Sequence, residues 1–443
     1  MKTEKPNILF LMSDEHRADC VGYAGNKVVK TPNLDGLADS GVVFGNAYTP
    51  APACVPARQC MMSGQLPKTC GCEGWIDLKP GYNTFARHFS KHVYTTAAFG
   101  KLHHQGIDQM QGWTRRPAGD LHVTYNHIEG VDWDAYKKYY SGGNKWSHVK
   151  EVKRAGIGES DWFLEDRRAV NAACEFIEEH FCSPYYDRQN TAPLLLKVSL
   201  NLPHYPYLTD KDRFNYYLNR VEPVIAKEAS EHPALSTRHR IIPGKDVSER
   251  EIRRATAAYY GMVETMDEML GKVLEKLNSV GENLDDWIIV YCADHGELLG
   301  EHQVWEKTKF YEQSVRVPLI IKWSKEIAES GKVSENVSLC DLYATLCELC
   351  DLPVPDGLDS RSLIPLMLGK TDDWDNEAIS QCDFFEEPHT MIKRDHLKYQ
   401  HYGIDASEVL FDLKNDPEEN INVINDPDYA DAVQQFRKRF KEI

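Results

Sequence analysis

Two long apolar runs that lead into acidic residues constrain the fold more than any other feature of this chain. The run at 7–12 (NILFLM) leads to Asp14, and the run at 287–292 (WIIVYC) leads to Asp294. An unbroken apolar run that ends at polar residues is typical of a parallel strand buried on both faces. In open α/β sheets, the carboxyl ends of such strands border the ligand crevice. The two runs therefore predict a buried parallel sheet with acidic side chains at one edge.

Strand and helix patterns alternate along most of the chain. Apolar runs at 42–44 and 194–200 predict two more strands. Apolar residues recur with helical spacing over 166–181 and 249–278, which predicts two long helices. This alternation indicates an α/β fold in which helices sandwich a large, mainly parallel sheet.

The chain changes character after the turn-rich segment 353–357 (PVPDG). Short strand-like runs follow, then a second turn-rich segment at 413–419 and a charged helical pattern at 429–441. The length of 443 residues also exceeds what one small core can organise. We therefore predict a main domain over 1–350 and a smaller α+β subdomain over 351–443.

The net charge of −17 argues against nonspecific binding to nucleic acids, because no block of lysine and arginine offsets it locally. The apolar run at 8–12 is too short for a signal peptide or a membrane span. We therefore expect a cytoplasmic protein without nucleic-acid or membrane partners. Anionic ligands would need a site with focused positive charge.

The chain contains 12 cysteines, and in a cytoplasmic protein we expect them to remain thiols. Cys70 and Cys72, and likewise Cys347 and Cys350, have the short spacings that zinc sites use. The residues around Cys347 follow an apolar helical pattern, however, and this favours small core residues over zinc ligands.

Four potential metal ligands follow the two apolar runs. Asp14 and Glu15 come after the first run, and Asp294 and His295 come after the second. If the two strand ends meet beyond the sheet, the carboxylates would hold one divalent ion. Taken singly, Asp14 could cap a helix, Glu15 could be a solvated acid and His295 could be a core histidine.

The segment 54–58 (CVPAR) contains the pattern Cys-x-Pro-x-Arg and resembles the site at which type I sulfatases convert a cysteine to formylglycine. The resemblance to the sulfatase family, within the alkaline-phosphatase-like superfamily, runs nearly end to end. The other segments that carry it are, in chain order, 5–9 (KPNIL), 31–34 (TPNL), 100–101 (GK), 203–204 (PH), 294–296 (DHG), 307 before 311–312 (YE), 316–319 (RVPL), 341–346 (DLYATL), 360–363 (SRSL), 411–413 (FDL) and 416–417 (DP).

The resemblance implies an alkaline-phosphatase-like fold, a catalytic domain over 1–350 and a formylglycine derived from Cys54. One hydroxyl of the hydrated aldehyde would attack sulfur, and the second would later expel sulfate by reforming the aldehyde. Such a residue requires a partner, either a formylglycine-generating enzyme or a radical maturase. Ala57 stands where serine is common, which suits cysteine-specific maturases less well.

The resemblance also implies roles for five other side chains. Arg58 would steady the formylglycine hydroxyls, and Lys101 and Lys307 would bind the sulfate oxygens. His103 would contact the second hydroxyl, and His204 would lie near the leaving oxygen as a donor or acid.

Three further residues leave alternatives open. His104 competes with His103, and Lys309 competes with Lys307, but the register favours His103 and the four-residue spacing to Tyr311 favours Lys307. His302 is either a substrate-binding residue or a solvated loop histidine.

Two stretches lack apolar periodicity, and we predict irregular insertions at about 105–165 and 208–246. An irregular stretch this long inside a compact domain is usually functional or mobile. The first contains Trp113, Arg115 and Trp146. Aromatic side chains beside polar donors suit sugars, so we predict Trp113 and Arg115 as substrate-binding residues. Alternatively, the tryptophans fold the stretch onto the domain surface.

Two departures from the family pattern concern the metal. Glu15 stands where many sulfatases have a second aspartate, and its extra methylene could keep it off the ion. His295 replaces a frequent asparagine and adds a nitrogen ligand, which suits Mn²⁺ as well as the Ca²⁺ that we expect first.

We therefore predict a sulfuric ester hydrolase that acts on a small, imported, sulfated carbohydrate, and we leave its oligomeric state open. Phosphonate monoester and phosphodiester hydrolases of the same superfamily share departures such as Glu15 and His295. Such a hydrolase, with the same nucleophile, is therefore the alternative to a sulfatase. A third hypothesis is a binding protein that keeps Cys54 as a thiol.

Overall fold

The two apolar runs form neighbouring strands in the centre of a nine-stranded, mainly parallel sheet, as predicted. The structure is a computed structural model that describes residues 5–120, 148–226, 232, 240–327, 330–383, 388–403 and 406–443. In chain order the sheet contains β1 (Asn7–Ser13), β2 (Val42–Tyr48), β3 (Thr95–Gly100), β4 (Arg115–Gly119), β6 (Leu194–Ser199), β8 (Trp287–Ala293), β9 (Arg316–Val317), β10 (Leu319–Lys322) and β11 (Gly331–Ser338), while β5 (Gly156–Ile157) and β7 (Leu208–Thr209) form a separate parallel pair.

Four neighbouring strands of the sheet, β8, β1, β6 and β3, are parallel to one another. The order is β11-β2-β10-β8-β1-β6-β3-β4, and β9 also pairs with β2. β1 runs parallel to both β8 and β6, whereas β10 is antiparallel to its neighbours β2 and β8. Ser13 pairs with Ala293, so the chain leaves β1 and β8 at the same edge of the sheet. Asp14 and Asp294 therefore follow strand ends that lie side by side.

Helices cover both faces of the sheet. The α-helices of the described residues are, in chain order, α1 (Pro32–Asp39), α2 (Cys54–Ser63), α3 (Pro67–Cys70), α4 (Phe85–Lys91), α5 (His148–Arg154), α6 (Asp161–Phe181), α7 (Lys211–Leu218), α8 (Glu249–Ser279), α9 (Glu312–Val315), α10 (Leu342–Leu349), α11 (Ile364–Met367) and α12 (Ala430–Phe440). On β1, Leu9 and Leu11 pack into a core with α1, α6 and α8, whereas Ile8 and Phe10 pack into a core with α2, α4 and α10. This two-sided packing is the predicted helical sandwich.

The C-terminal part forms a second, antiparallel sheet, which confirms the predicted smaller subdomain. Its strands are β12 (Glu377–Cys382), β13 (His389–Arg394), β14 (Leu397–Tyr402) and β15 (Ser407–Asp412). α12 packs on this sheet, with the rings of Phe436 and Tyr399 stacked at 5.5 Å. The fully buried Lys398 of β14 pairs with Glu419 and with Glu312 of α9, which ties the small sheet to the main domain. The boundary between 350 and 351 stays a prediction.

Parts of the two stretches predicted as irregular are regular. In the first, Arg115–Gly119 forms the edge strand β4, and α5 and the start of α6 follow before residue 165. In the second, β7 and α7 occupy residues 208–218. An edge strand forms ladder hydrogen bonds on one side only and carries exposed side chains, so no apolar run marks it. Trp146 and the rest of 121–147 lie outside the described residues.

The cysteines are free thiols, as expected. Cys347 and Cys350 are buried in the core with α10, and Cys72 is buried as well. Within the described ranges, neither pair with zinc-like spacing joins a group of three or more potential metal ligands. In the same ranges, no helix is both long and apolar enough to cross a membrane.

The central strand β6 carries a buried lysine. Lys197 is 1% exposed, and its Nζ lies 4.8 Å from the centre of the Phe10 ring. Burial, and next to it the charge of Arg58, lower the pKa of Lys197 to about 7. Protonating Lys197 therefore costs free energy in the folded state that the solvated, unfolded chain avoids.

We predict that Lys197→Met stabilises the protein near pH 7 and that the gain shrinks as the pH rises. An unfolded lysine has a pKa of about 10.4, so wild type loses about 1.4 kcal/mol of stability per pH unit as the pH falls from that value toward 7. Methionine fills a similar volume without a charge. Urea unfolding of both proteins near pH 7 and near pH 9 measures the difference. A gain near pH 9 that equals or exceeds the gain near pH 7 would show that the pKa of Lys197 is not depressed.

Candidate active site

The carboxyl ends of β1 and β8 bring Asp14, Asp294 and His295 together. All three side chains are fully buried. Oδ1 of Asp294 accepts the backbone N–H of Glu15 at 3.1 Å and that of His295 at 2.9 Å, which locks the two strand ends to each other. We call Asp14, Asp294 and His295 the ligand set.

The ligand set has the properties of an ion site. Oδ1 of Asp14 and Nε2 of His295 are buried without a hydrogen-bond partner and lie 3.9 Å apart. Nδ1 of His295 donates to the carbonyl oxygen of Gly296 at 2.9 Å, which leaves Nε2 available. Ligand atoms of the set and Sγ of Cys54 all lie within 4.8 Å of one another. Since unpartnered buried polar atoms are costly, this donor set fits a divalent cation.

The pKa values describe a strongly polarised site. Burial raises the pKa of Asp14, but the nearby cations, Lys101 first, outweigh it and hold this pKa well below the usual range. Burial lowers the pKa of His295, but the charge of Asp294 outweighs it and raises this pKa to about 9. Negative potential at His295 therefore favours a cation there.

Glu15 lies apart from the ligand set, although we predicted it among the metal ligands. Its backbone has a φ of 62°, and its Oε2 lies 3.0 Å from Nζ of Lys307 and 3.4 Å from Nε2 of His204. The longer side chain carries its carboxylate toward these two residues. Glu15 forms a second potential ligand group with Asp14 and His204.

Arg58 connects α2 to both strand ends. Its Nε donates to Asp294 at 2.7 Å and its Nη2 to Asp14 at 3.0 Å. Its Nη1 donates to the carbonyl oxygen of Lys101 at 2.6 Å and to Oγ of Ser199 at 2.9 Å. The guanidinium, 1% exposed, therefore orients the two carboxylates of the ligand set.

Cys54 is the first residue of α2, a helix in which all ten residues are buried. Burial raises the pKa of its thiol, but the charges of Lys307, His103 and Lys101 outweigh burial and hold this pKa well below the usual range. Helix N-termini also favour negative charge. Position 54 is therefore prepared to carry an anion.

Lys101 and His103 follow β3 in a tightly held turn. A Cβ on Gly100, whose φ is 82°, would lie 1.9 Å from the carbonyl oxygen of Ser199, so only glycine fits. Nζ of Lys101 lies 2.9 Å from Oδ2 of Asp14. The carboxylate of Asp120 accepts the backbone N–H of Leu102 at 2.9 Å and that of His103 at 2.5 Å. Asp120 therefore holds His103, whose φ is 59°, beside the site.

His204 and Lys307 complete the buried cluster. Nδ1 of His204 donates to the carbonyl oxygen of Tyr205 at 2.6 Å, which turns Nε2 toward Glu15. Burial and the charges of Lys307 and Lys101 lower the pKa of His204 well below the usual value. Burial lowers the pKa of Lys307, but Glu15 and Cys54 outweigh it and raise this pKa well above the usual value.

The structure places the two predicted substrate contacts away from this cluster. Trp113 is 2% exposed and packs edge-on against Phe85 in the core beneath α4, so it is a core residue. Arg115 is exposed on β4 near His180, which belongs to the last turn of α6. The site lies beyond the opposite end of this helix, where Trp162 contacts His204. We therefore correct both assignments.

The structure also shows where His104, Lys309 and His302 lie. His104 is buried, its Nδ1 lies 3.0 Å from the carbonyl oxygen of Gln109, and burial lowers its pKa to about 3, so His103 is the residue at the site. Lys309 lies near His232 and the small sheet, whereas Lys307 reaches Glu15. His302 is not a solvated loop histidine, since it is buried and stacks on Tyr311 at 3.8 Å, and its role in substrate binding stays a prediction.

Sequence reasoning missed three supporting residues. Ser199, which ends β6, accepts from Arg58, and Asp120 holds His103. Asp166 of α6 accepts the backbone N–H groups of Asn201 and Leu202, and burial raises its pKa to about 7. Ser199 is a polar residue near the end of the apolar run 194–200, which is a usable signal. Nothing local distinguishes Asp120 or Asp166 from other acidic residues.

Two family models match the chain. The model described as "Sulfatase" matches residues 6–352, and the model described as "N-sulphoglucosamine sulphohydrolase, C-terminal" matches residues 300–443. Among curated proteins, an arylsulfatase of Clostridium perfringens is 29% identical, with 98% of this chain and 93% of the relative covered. Arylsulfatase K of Gallus gallus is 30% identical, with 100% and 83% covered.

Solved structures share the whole fold. A phosphonate monoester hydrolase of Agrobacterium radiobacter superposes with a TM-score of 0.79 at 22% identity and covers 99% of this chain and 95% of its own. A structure in complex with its substrate D-glucosamine-2-N,6-O-disulfate superposes with a TM-score of 0.76 at 21% identity, with 99% and 98% covered.

Proposed function

This chain belongs to the sulfatase family of the alkaline-phosphatase-like superfamily, and from that membership we propose that it removes sulfate from a sulfated carbohydrate with a formylglycine at position 54 and one divalent ion. As a sulfatase it is an enzyme that hydrolyses sulfate esters. One observation carries the proposal: Cys54 starts a buried helix at the point where the ligand set and the charges of Lys101 and Lys307 converge.

The proposed nucleophile derives from Cys54, whose Sγ marks the position of the formylglycine hydroxyls. Hydrated formylglycine would supply two hydroxyls, one to attack sulfur and one to expel sulfate afterwards. The side chains that lower the thiol pKa, led by Lys307 and His103, are placed to favour a deprotonated oxygen there as well.

Lys101 and Lys307 would bind the sulfate oxygens. Each ammonium group is fixed by one buried carboxylate, Asp14 for Lys101 and Glu15 for Lys307. An ammonium group has three N–H donors, so each lysine keeps donors for the substrate. Arg58 uses four of its five N–H donors on the ligand set and on the β3 and β6 ends, so its main role would be to orient the carboxylates. The remaining N–H of Nη2 would be the donor for the formylglycine hydroxyls.

His204 would hold a proton for the leaving oxygen. Its Nδ1 donates to the carbonyl oxygen of Tyr205, so Nε2 is the atom that faces the site. Burial and the nearby lysines lower the pKa of His204, so Nε2 would carry a proton for the leaving oxygen once a bound anion offsets the charges of these lysines. His103 would contact the second formylglycine hydroxyl, from the position in which Asp120 holds its backbone.

The ligand set would hold the divalent ion, which when bound would polarise a sulfate oxygen. Two carboxylates suit Ca²⁺, and the His295 nitrogen makes Mn²⁺ the alternative. The unpartnered atoms of Asp14 and His295 support this assignment.

A carbohydrate substrate is supported by the neighbour solved with a sulfated glucosamine. The alternative is a phosphonate monoester or phosphodiester hydrolase, which the fold shared with the Agrobacterium radiobacter enzyme favours. A maturase partner and a cytoplasmic location stay predictions.

We predict that the matured protein hydrolyses 4-nitrophenyl sulfate with a higher kcat/KM than 4-nitrophenyl phenylphosphonate. Cys54→Ala should lower sulfate turnover about 1000-fold or more, because the nucleophile is lost. Intact mass should show a loss of about 18 Da in wild type, as cysteine becomes formylglycine. Cys60→Ala in the same helix is the matched control and should keep most activity. If Cys54→Ala retained activity, position 54 would not carry the nucleophile. If the phosphonate were hydrolysed faster than the sulfate, the protein would be a phosphonate hydrolase.

The metal assignment predicts that Asp294→Asn and Asp14→Asn lose the ion together with activity. Loss of a residue that only hydrogen-bonds to a metal ligand typically weakens metal affinity roughly 10–100-fold. Loss of a ligand carboxylate should weaken it by at least as much. Glu15→Gln, next to Asp14 but outside the ligand set, should keep the metal. Elemental analysis of the purified variants measures occupancy. Full occupancy in Asp294→Asn, or an empty site in Glu15→Gln, would contradict the assigned ligand set.

Asp120 should act as a positioning residue through His103. Asp120→Ala leaves two buried N–H groups unpaired, each at a cost of about 1–3 kcal/mol, and should lower kcat more than it raises KM. Asp108→Ala is the control, because Asp108 accepts the N–H groups of Gly81 and Gln111 without reaching His103. It should lower the melting temperature and spare kcat. Similar kcat losses in both variants would assign Asp120 to stability alone.

A further inference from the structure

Two tryptophans outside the predicted contacts lie against the two site histidines. The ring of Trp75 lies 5.6 Å from that of His103, with the ring planes at 58°. The ring of Trp162 lies 6.1 Å from that of His204 in an edge-on contact, and Nζ of Lys101 lies 5.8 Å from its centre. Each tryptophan therefore borders the reaction site from a different segment of the chain.

Trp75 belongs to an exposed apolar surface beside His103. Trp75 is 46% exposed and Ile76 is 54% exposed. Oδ2 of Asp77 accepts the backbone N–H groups of Gln105 and Gly106, both at 2.7 Å, and so fixes this loop to the segment that follows His103. Trp75 therefore keeps nearly half of its surface exposed on a loop of fixed position, and this surface is available to a ligand at the edge of the site.

The exposure of the site residues indicates the direction of access. Cys54, Lys101, His204 and Lys307 are all buried, whereas His103 is only partly buried. A substrate that reaches Cys54 past His103 also passes Trp75.

Trp162 borders the position that the leaving group would occupy beside His204. It is the second residue of α6, whose N-terminus is capped by Ser160, so its position is set by a regular element. His204, the residue assigned to the leaving oxygen, contacts its ring. The sugar carbon is bonded to that oxygen, so the sugar begins within one bond of the atom that His204 serves.

We propose that Trp75 and Trp162 form the two walls of the sugar-binding cleft and stack on the faces of a sulfated sugar. This inference rests on the proposed function and names the residues that recognise its substrate. Sugar rings present apolar faces between their hydroxyl groups, and flat aromatic side chains cover such faces at a low cost in conformational entropy. The buried cluster recognises only the sulfate group, so recognition of the sugar has to come from side chains at its border.

The test compares Trp75→Ala, Trp162→Ala and the two Phe variants on the full-length, matured protein. The substrate is whichever monosaccharide sulfate, from a panel with sulfate at N2, O2, O3, O4 or O6, wild type turns over with the highest kcat/KM. Each Ala variant should raise KM for it about 10-fold or more, while the Phe variants keep most of the affinity. Inorganic sulfate, which fills only the sulfate site, should inhibit all variants with an unchanged inhibition constant. Tyr185→Ala, which removes an aromatic ring that is 92% exposed, is the control and should leave both values unchanged.

Three outcomes overturn the inference. If KM and the sulfate inhibition constant rise together in the Ala variants, the tryptophans support the catalytic cluster and do not bind the sugar. If wild type hydrolyses 4-nitrophenyl sulfate but no sugar sulfate, the substrate class is wrong while the sulfatase chemistry stands. If the Ala variants keep the wild-type KM, neither ring is a wall of the cleft. Absence of turnover for every sulfate ester would instead refute the proposed function, and this inference with it.

Discussion

The buried ion cluster of Arg58 with Asp14 and Asp294 is the interaction on which the site depends. Burying an unpaired charge costs several kcal/mol, so a guanidinium that is 1% exposed is tolerable only where its partners are fixed. The parallel register of β1 and β8 supplies two carboxylates side by side. Arg58 then fixes α2, and with it Cys54, over the strand ends. The register of the sheet thereby determines where the proposed nucleophile lies.

The same cluster explains how a buried site can attract an anion. Asp14, Glu15 and Asp294 balance Arg58, Lys101 and Lys307 in formal charge. A divalent ion in the ligand set would make the cluster net positive. In a buried, weakly screened environment this excess favours a sulfate ester more than it would in water. With the ion bound, a protein with a net charge of −17 would concentrate positive charge at one point.

Sequence reasoning located the fold and the centre of the site because both depend on buried strands. Runs such as 7–12 and 287–292 are buried on both faces and end at residues of the candidate site, so local pattern and tertiary position coincide. Trp113 shows where this fails: a tryptophan in a segment without periodicity looks the same whether its ring packs in the core or faces a ligand. Asp120 was missed because its role is to hold a turn from 17 residues away in the chain.

Glu15 and His295, the two residues that depart from the sulfatase family pattern, change the charge of the proposed ion site as well as its shape. The added methylene lets the Glu15 carboxylate reach Lys307 and leaves the ligand set with two carboxylates and one imidazole. A divalent ion held by two carboxylates is neutralised, whereas three would leave a net negative charge beside the substrate. In the proposed site, the Glu15 carboxylate would orient Lys307 instead of binding the ion. Glu15 would therefore offset part of the Lys307 charge and not part of the ion's charge, at some cost in metal affinity.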